Sequence, residues 1–255
     1  MAAVSLAGCA AWRPVSVPIA TIVEPARCRT PADTLLVMLP GAGSTPEEFI
    51  DEGFVRAVRK RQLAADIVLV DAHRGYYDND SIVGRLRADV IDPARARGYA
   101  QIWLVGISLG ALGGMMVGDQ HPAGITGIVA IGPYLGSRAK GAEIAAAGGL
   151  SAWAAPAGAL ASDDFDNRLW RSLQPYAAAP AARRAGEARP TLLLGYGRSD
   201  RFSTNQDLLA AALPATQVFT ADGGHDWAPW LSVWERMLPV MAIRADASCV
   251  GREAA

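Results

Sequence analysis

Six mostly apolar runs of six or seven residues recur along the chain, separated by longer segments in which apolar residues follow helical spacing. The runs cover residues 34–39, 66–71, 101–106, 127–132, 191–197 and 216–221. Short runs that are apolar on both faces are typical of strands inside a parallel sheet, which helices cover on both sides. The alternation of such strands with helices therefore predicts an α/β fold.

Helical spacing between these runs predicts five helices, over about 45–58, 81–97, 109–118, 204–213 and from 227 onward. Thr45 is expected to cap the first helix, with Glu48 closing a capping box. Pro93 is expected to bend or restart the second helix, because proline cannot donate the backbone hydrogen bond. The last helix carries an apolar stripe that we assign to the core, namely Trp230, Leu231, Trp234, Met237 and Leu238.

Residues 137–188 break this rhythm and are rich in Ala, Gly and Pro. The segment falls between the fourth and fifth predicted strands, so we interpret it as an insertion in a single domain and call it the cap below. Its aromatic residues are Trp153, Phe165, Trp170 and Tyr176. They form either the core of the cap or a wall that binds an acyl group, and both interpretations remain open.

Composition and charge narrow the classes of function. The chain has 255 residues, of which 51% are hydrophobic, enough for one large domain with a substantial core. Its 24 basic and 25 acidic residues give a net charge of -1, so a nucleic-acid partner, which usually needs a basic patch, is not predicted. No apolar stretch is long enough to span a bilayer as a helix.

A serine lies between two glycines at the point where the third run ends, in the sequence Gly106-Ile107-Ser108-Leu109-Gly110. Gly-x-Ser-x-Gly between a strand and a helix is the nucleophile elbow, a tight turn that exposes the serine hydroxyl above the sheet. Ligands of parallel sheets bind at this carboxyl edge. We therefore predict that Ser108 is a nucleophile.

A nucleophilic serine needs a base, and the chain has three histidines. His225 follows the last predicted strand in a glycine-rich loop, where it can reach the carboxyl edge of the sheet. His121 is expected on the surface at the end of a helix. His73 follows strand 66–71 and is expected to be structural or to line the substrate. His225 is therefore the predicted base.

The base needs an acid that orients it. Asp200 lies just beyond strand 191–197, at the same predicted edge as Ser108 and His225. Asp222 and Asp226 flank the histidine too closely in sequence to be its partner. Asp200 is therefore the predicted acid.

The chain resembles the α/β-hydrolase superfamily over about residues 34–241, on the elbow GISLG, the acid in GRSD and the histidine in GGHDW. Serine, aspartate and histidine follow one another in the chain order of that superfamily. The turn LPGAG resembles the family's His-Gly-x-Gly turn, with Pro40 where histidine is common. The resemblance implies an α/β-hydrolase fold, with a mostly parallel sheet, helices on both faces and a small cap. It also implies an oxyanion hole formed by the backbone N–H groups of Ala42 and Leu109.

The same resemblance implies a serine hydrolase that cleaves carboxylic esters through a Ser-His-Asp triad and an acyl-enzyme intermediate. Its substrate would be a small-molecule or lipid-like ester, and neither cofactor nor metal is predicted. A thioesterase or amidase would use the same triad, and a non-catalytic envelope binding protein could keep the same fold. The candidates for lining the substrate are His73, Tyr134, Phe202 and Trp227.

The first residues contain Leu6-Ala7-Gly8-Cys9, which resembles the lipobox of bacterial lipoproteins. The match is incomplete, because no Lys or Arg precedes it and the apolar run is short. One interpretation is a periplasm-facing protein of the cell envelope, anchored by a lipid on Cys9, with residues 1–27 as signal-like segment and linker before a domain over 28–250. The other is a cytoplasmic protein with an Ala-rich tail.

Two further cysteines, Cys28 and Cys249, lie in polar surroundings near the two ends of the predicted domain. Domain termini are often close in space, and exported chains form disulfides. We therefore predict a Cys28–Cys249 disulfide, with Cα atoms about 4.4–6.8 Å apart. Two unrelated thiols in a cytosolic protein are the alternative.

Overall fold

The computed structural model describes residues 13–161, 164–177 and 189–249, and within them seven strands form one sheet in the order β1-β3-β2-β4-β5-β6-β7. Strand β1 is antiparallel to β3, and every other neighbouring pair is parallel. The predicted, mostly parallel sheet is therefore confirmed. The strands are Thr21–Glu24 (β1), Thr34–Leu39 (β2), Ala65–Val70 (β3), Gln101–Ile107 (β4), Gly127–Ile131 (β5), Thr191–Gly197 (β6) and Val218–Ala221 (β7).

Helices connect the strands and cover both faces of the sheet. They are Glu48–Asp51 (α1), Phe54–Lys60 (α2), Arg74–Asp78 (α3), Ile82–Leu86 (α4), Asp92–Ala96 (α5), Leu109–Gln120 (α6), Arg138–Ala146 (α7), Phe165–Leu173 (α8), Ser203–Ala210 (α9) and Trp227–Met237 (α10). None of the helices in the described ranges is long and apolar enough to cross a membrane.

The core has two parts, one on each face of the sheet, because successive side chains of a strand point to opposite faces. In β2, Leu35 and Val37 pack with α4, α6 and the cap helices, whereas Leu36 and Met38 pack with α2 and α10. Every residue of β2 is buried. This two-sided burial explains why the strands appear in the sequence as continuous apolar runs.

The first predicted helix differs from the structure. Its N-terminal residue is Glu48, and no side chain caps it, so the capping box between Thr45 and Glu48 is wrong. The helix is also divided in two, because Gly53 adopts a left-handed conformation between α1 and α2. Farther along, a π-helical turn over Arg87–Ile91 precedes Pro93, where the predicted helix restarts as α5.

The sheet begins earlier than the sequence pattern indicated. Strand β1 pairs with β3 through Thr21↔Val70 and Glu24↔Ile67, although it lies inside the range 1–27 predicted as signal-like segment and linker. Its residues alternate between exposed and half-buried, so they do not form an apolar run. Cys9 lies outside the described residues.

Cys28 and Cys249 form the predicted disulfide, and their Cα atoms lie 3.9 Å apart, slightly closer than the predicted range. The two segments approach closely because other contacts also join them. The backbone N–H of Arg29 donates to Ser248 Oγ at 3.0 Å, and Arg244 donates to the carbonyl of Pro31. These contacts lie before the amino end of β2, at the edge of the sheet opposite Ser108.

Removing this disulfide is expected to lower the melting temperature but spare activity at low temperature. The bridge joins residues 221 positions apart, for which the loop-entropy model gives an upper figure of about 4–5 kcal/mol. Residual structure in the unfolded chain reduces that figure, so we expect the free energy of unfolding to fall by about 2–3 kcal/mol without the disulfide. The measurement compares the wild type with Cys28→Ser/Cys249→Ser. Thermal melts give the two melting temperatures, and ester hydrolysis is assayed well below both. An unchanged melting temperature would contradict the expectation.

Candidate active site

Ser108 lies in a strained turn between β4 and α6, with φ 52° and ψ -110°. Only glycine fits two positions before it and two positions after it. A Cβ at Gly106 would lie 2.3 Å from the backbone of Gly110, and a Cβ at Gly110 would lie 2.1 Å from the carbonyl oxygen of Leu39. The two glycines therefore let the chain turn sharply enough to present the serine at the amino end of α6, as the elbow motif predicts.

Three side chains from distant parts of the chain form a hydrogen-bonded row, which we call the Ser108–His225–Asp200 row. His225 Nε2 lies 3.0 Å from Ser108 Oγ, and His225 Nδ1 lies 2.8 Å from Asp200 Oδ2. The structure thus brings together the predicted nucleophile, base and acid. In this arrangement the imidazole can accept the hydroxyl proton while the carboxylate holds the ring.

The ends of β6 and β7 bring Asp200 and His225 to the row. The backbone N–H of Asp200 donates to the carbonyl of Gly197 at 2.9 Å, in a turn directly after β6. A Cβ at Gly197 would lie 2.4 Å from the carbonyl oxygens of Gly223 and Gly224, so this glycine lets the loop that carries His225 pack against the end of β6. The packing sets the separation between acid and base.

Asp200 is buried but has several hydrogen-bond donors. Its side chain has 0% exposure and that of His225 has 8%. Burial by itself raises the pKa of Asp200, but hydrogen bonds from His225, the backbone N–H of Phe202 and Gln206 outweigh it and hold the pKa below its usual value. Asp200 is therefore a carboxylate at neutral pH, the form that can orient a histidine.

The turn after β2 lies beside Ser108. A Cβ at Gly41 would lie 3.5 Å from Ser108 Cβ, which brings the neighbouring residue Ala42 to the same corner. Leu109 is the first residue of α6, and the first N–H groups of a helix have no intrahelical acceptor. Ala42 and Leu109 thus both belong to segments that adjoin the nucleophile, as the predicted oxyanion hole requires.

Aromatic rings hold the imidazole of His225 from two sides. The ring of Phe202 lies 5.0 Å from it and that of Trp230 lies 4.8 Å from it, both nearly perpendicular to it. Tyr134 packs edge-on against Phe202 at 5.5 Å. Two of the predicted lining residues, Phe202 and Tyr134, therefore lie next to the row.

The two other predicted lining residues have different surroundings. Trp227, the first residue of α10, is half-buried and packs against Phe49 and Phe54 at the margin of the core. His73 caps α3, because its Nδ1 accepts the backbone N–H of Gly75, and burial lowers its pKa. These contacts give both residues a structural role, which the sequence had left open for His73. The third histidine, His121, lies at the end of α6 within 3.3 Å of Arg87.

The described ranges contain no cluster of three metal-ligating side chains.

A model of the alpha/beta hydrolase family matches residues 36–240 of the chain. The chain belongs to this family. The matched range begins within β2, includes β3 to β7 and contains all three residues of the row, so this hydrolase carries its serine, aspartate and histidine within the family's own domain.

Solved structures similar to this hydrolase share its fold at low sequence identity. An S-formylglutathione hydrolase from Staphylococcus aureus is 16% identical, with 83% of this chain and 82% of that chain covered and a TM-score of 0.53. A ferulic acid esterase is 18% identical, with 84% and 86% covered and a TM-score of 0.55. A fluorophosphonate-binding serine hydrolase from Staphylococcus aureus is 16% identical, with 88% and 98% covered and a TM-score of 0.54. A search of curated protein sequences finds no match to the chain.

A groove of about 400 Å³ runs between α6 and the cap helix α8 of the hydrolase. Leu112 and Met116 line it from α6, and Phe165 and Leu169 line it from α8. Among the described residues that line the groove, none belongs to the row, but Leu112 lies one helical turn after Ser108. The lining also contains charged residues, namely Asp119, Arg168, Arg171 and Arg189.

The cap aromatics divide between the two interpretations that the sequence allowed. Trp153, Trp170 and Tyr176 are buried in the core of the cap. Phe165 instead is half-buried, lines the groove and stacks on Tyr134 at 6.2 Å. Only Phe165 is therefore available as a wall for an acyl group.

Sequence reasoning did not identify three residues that surround the row. Gly132 follows β5 and adopts φ 51° beside Asp200 and His225. Gln206 hydrogen-bonds to Asp200 and donates to the carbonyl of Pro133 at 3.1 Å. Trp230, which the helical spacing assigns to the core, is buried and also contacts the ring of His225. No local motif marks these residues, because their contacts join separate segments of the chain.

Proposed function

We propose that this alpha/beta hydrolase is a serine carboxylesterase, in which the Ser108–His225–Asp200 row acts as a catalytic triad. The observation that supports this most is the continuity of the row, with 3.0 Å between Ser108 Oγ and His225 Nε2 and 2.8 Å between His225 Nδ1 and Asp200 Oδ2. A nucleophile bonded to its base, and the base bonded to its orienting acid, is the geometry of activated serine.

In the first step His225 Nε2 takes the proton of Ser108 as Oγ attacks the ester carbonyl. The Asp200 carboxylate holds the imidazole ring and stabilises its charged form. The backbone N–H groups of Ala42 and Leu109 donate to the developing oxyanion, and one such donor typically contributes about 10²–10³ in rate.

The attack gives a tetrahedral intermediate that carries the oxyanion. When this intermediate collapses, the bond between its carbon and the oxygen of the leaving alcohol breaks. His225 gives its proton to the departing alkoxide, and the acyl group remains on Ser108 Oγ. A water molecule then attacks the acyl carbonyl while His225 takes its proton. The bond between the acyl carbon and Ser108 Oγ breaks, the acid leaves, and His225 returns the proton to Ser108 Oγ. Pro40, where the family commonly has histidine, does not affect this role, because the proposed donors are backbone groups.

A thioesterase or amidase would use the same residues, and a non-catalytic envelope protein could keep the fold without the chemistry. The intact row supports an enzyme, since a binding protein has no use for the strained serine turn. Assays with matched acyl esters, thioesters and anilides test the proposal. We expect turnover of the esters to exceed that of the other two classes, and a purified wild type that hydrolyses no ester would overturn the proposal.

We also propose that the groove between α6 and α8 receives the acyl chain. Its apolar lining includes Leu112 and Met116, which lie one and two helical turns after Ser108 on α6, and Phe165, which stacks on Tyr134. Residues 112 and 116 lie on the face of α6 that continues from Ser108, because side chains four apart in a helix share a face. An acyl chain that leaves the nucleophile along this face would pass Leu112 first and Met116 about 6 Å farther along.

Filling the groove is expected to shorten the acyl chains that the enzyme accepts. Leu112→Trp should lower kcat/KM for octanoyl esters roughly tenfold or more, because each excluded methylene contributes about 0.8 kcal/mol. Acetyl ester hydrolysis should change little. Met116→Trp is the matched variant. It should lower kcat/KM only for esters whose acyl chain is long enough to pass Leu112 and reach residue 116. The measurement is kcat/KM across a series of acyl-nitrophenyl esters, and an equal loss for acetyl and octanoyl esters would contradict the assignment.

We further propose a location in the cell envelope, with a lipid on Cys9 as anchor. The Cys28–Cys249 disulfide supports this, because such bonds persist in oxidising compartments and are rare in the cytosol. Fractionation of cells should find the protein with the membranes, processed so that it begins at the lipidated Cys9, and Cys9→Ser should release it. Recovery of unlipidated, full-length wild type from the cytosol would refute this location.

A further inference from the structure

We propose that Gly132 and Trp230 position the acid and base of the row, with the missing side chain of Gly132 leaving the space in which three polar atoms meet. This inference rests on the proposed function, because it assigns roles toward Asp200 and His225 as catalytic groups. Neither residue touches the reacting atoms, so both act through Asp200 and His225.

The space at Gly132 is defined by its neighbours. A Cβ built on Gly132 would lie 2.7 Å from Trp230 Nε1, 3.3 Å from Asp200 Oδ2 and 3.4 Å from His225 Nδ1. Real Cβ atoms essentially never approach another heavy atom to within 3.0 Å. A methyl group at this position would therefore displace the indole of Trp230 and press on both members of the acid–base pair.

The backbone of Gly132 cannot retreat from this contact. Its N–H donates to the carbonyl of Gly195 on β6 at 2.7 Å. Ile131, the residue before it, accepts the N–H of Ser108 at 2.8 Å. Movement of Gly132 would therefore disturb the sheet and the nucleophile turn together, so an added methyl group must move the side chains instead.

Trp230 is fixed between the core and the row. It is buried, and its ring lies 4.8 Å from that of His225 at an angle of 89°. Within the described part of the chain, its Nε1 is buried without a hydrogen-bond acceptor. A buried N–H without an acceptor costs free energy. This N–H and the Asp200 carboxylate border the same small space, since Trp230 Nε1 and Asp200 Oδ2 both lie within 3.3 Å of the Cβ position of Gly132.

The imidazole has few other directions in which to move. Phe202 packs against it at 5.0 Å, and the backbone N–H of Phe202 holds Asp200 Oδ1 at 2.8 Å. Displacement of Trp230 would thus be transmitted to His225. Misplacement of a catalytic group by about 1 Å costs on the order of 10²-fold in rate.

A double-mutant cycle tests the inference. Gly132→Ala should lower kcat about 10²-fold with KM changed less than about twofold, because binding does not depend on the acid–base pair. Trp230→Leu removes the atom that a Cβ at 132 would meet first. In the Trp230→Leu background, adding Gly132→Ala should therefore cost less than about fivefold, since coupled residues are non-additive. Gly98→Ala is the control, because Gly98 has φ 87° and nothing within 4 Å of its Cβ position.

The outcomes separate this inference from the proposed function. Ester hydrolysis by the wild type is measured first, and its absence counts against the proposed function alone. With an active wild type, unchanged kcat in Gly132→Ala, or an equal loss in both backgrounds, overturns the positioning role. If Gly132→Ala alone fails to fold, a folded Gly132→Ala/Trp230→Leu protein supports the contact between the added Cβ and Trp230, and failure of the double variant to fold overturns it.

Discussion

Replacing Ser108 with alanine is expected to abolish ester hydrolysis while the chain stays folded. Alanine retains Cβ and lacks only Oγ, so the turn between β4 and α6 keeps its shape. The hydroxyl is the proposed nucleophile, and its Oγ lies 3.0 Å from His225 Nε2. Loss of a triad serine lowers kcat by about 10⁴–10⁶-fold, with the remainder due to binding and the oxyanion hole.

The measurement is kcat for an acetyl or butyryl nitrophenyl ester, with a thermal melt to confirm folding. Ser151→Ala provides the matched control, because Ser151 is exposed in a turn of the cap. We expect the control to keep wild-type turnover and both variants to melt near the wild type. Near wild-type turnover by a folded Ser108→Ala protein would remove the basis of the proposed mechanism.

Changing the base is expected to lower kcat as much as the loss of Ser108, and changing the acid somewhat less. His225→Ala should cost as much as Ser108→Ala, because members of a triad act as a unit. Asp200→Asn should cost somewhat less, about 10⁴-fold, since an amide cannot stabilise the imidazolium and favours the wrong tautomer. The measurement is again kcat, with KM expected to change little.

The neighbouring aspartates are matched controls for the acid. Asp222 is 96% exposed and pairs with Arg198, so Asp222→Asn should leave kcat unchanged. Asp226 caps α10 through the N–H of Ala228, and asparagine caps a helix equally well. A silent Asp200→Asn, together with a large loss in Asp222→Asn or Asp226→Asn, would show that the acid had been wrongly assigned.

Much of the fold and the row could be predicted because each rests on a local pattern. The strands of the inner sheet are buried on both faces, so their burial appears in the sequence as continuous apolar runs. Ser108 lies in a motif, and Asp200 and His225 each follow directly after a strand. Parallel strands end at one edge, so position after a strand is enough to predict that these residues meet.

The features that were missed depend on tertiary contacts. Strand β1 is half-exposed and held by pairing with β3, so its sequence carries no apolar run. The predicted capping box is wrong because Pro46 and Glu47 form a turn, so that α1 begins only at Glu48. Gly132 and Trp230 come together only when β5 and α10 pack near the same edge, and no spacing between them in the sequence indicates this.

Labelling with a fluorophosphonate probe tests the central claim most directly. The probe forms a covalent bond with an activated serine, and peptide mass mapping identifies the modified residue. We predict a single adduct on Ser108 in the folded wild type, with labelling lost in Ser108→Ala and slowed in His225→Ala to about the extent that hydrolysis is slowed. An unlabelled Ser108 in an otherwise folded protein, or an adduct on a different serine, would contradict the account.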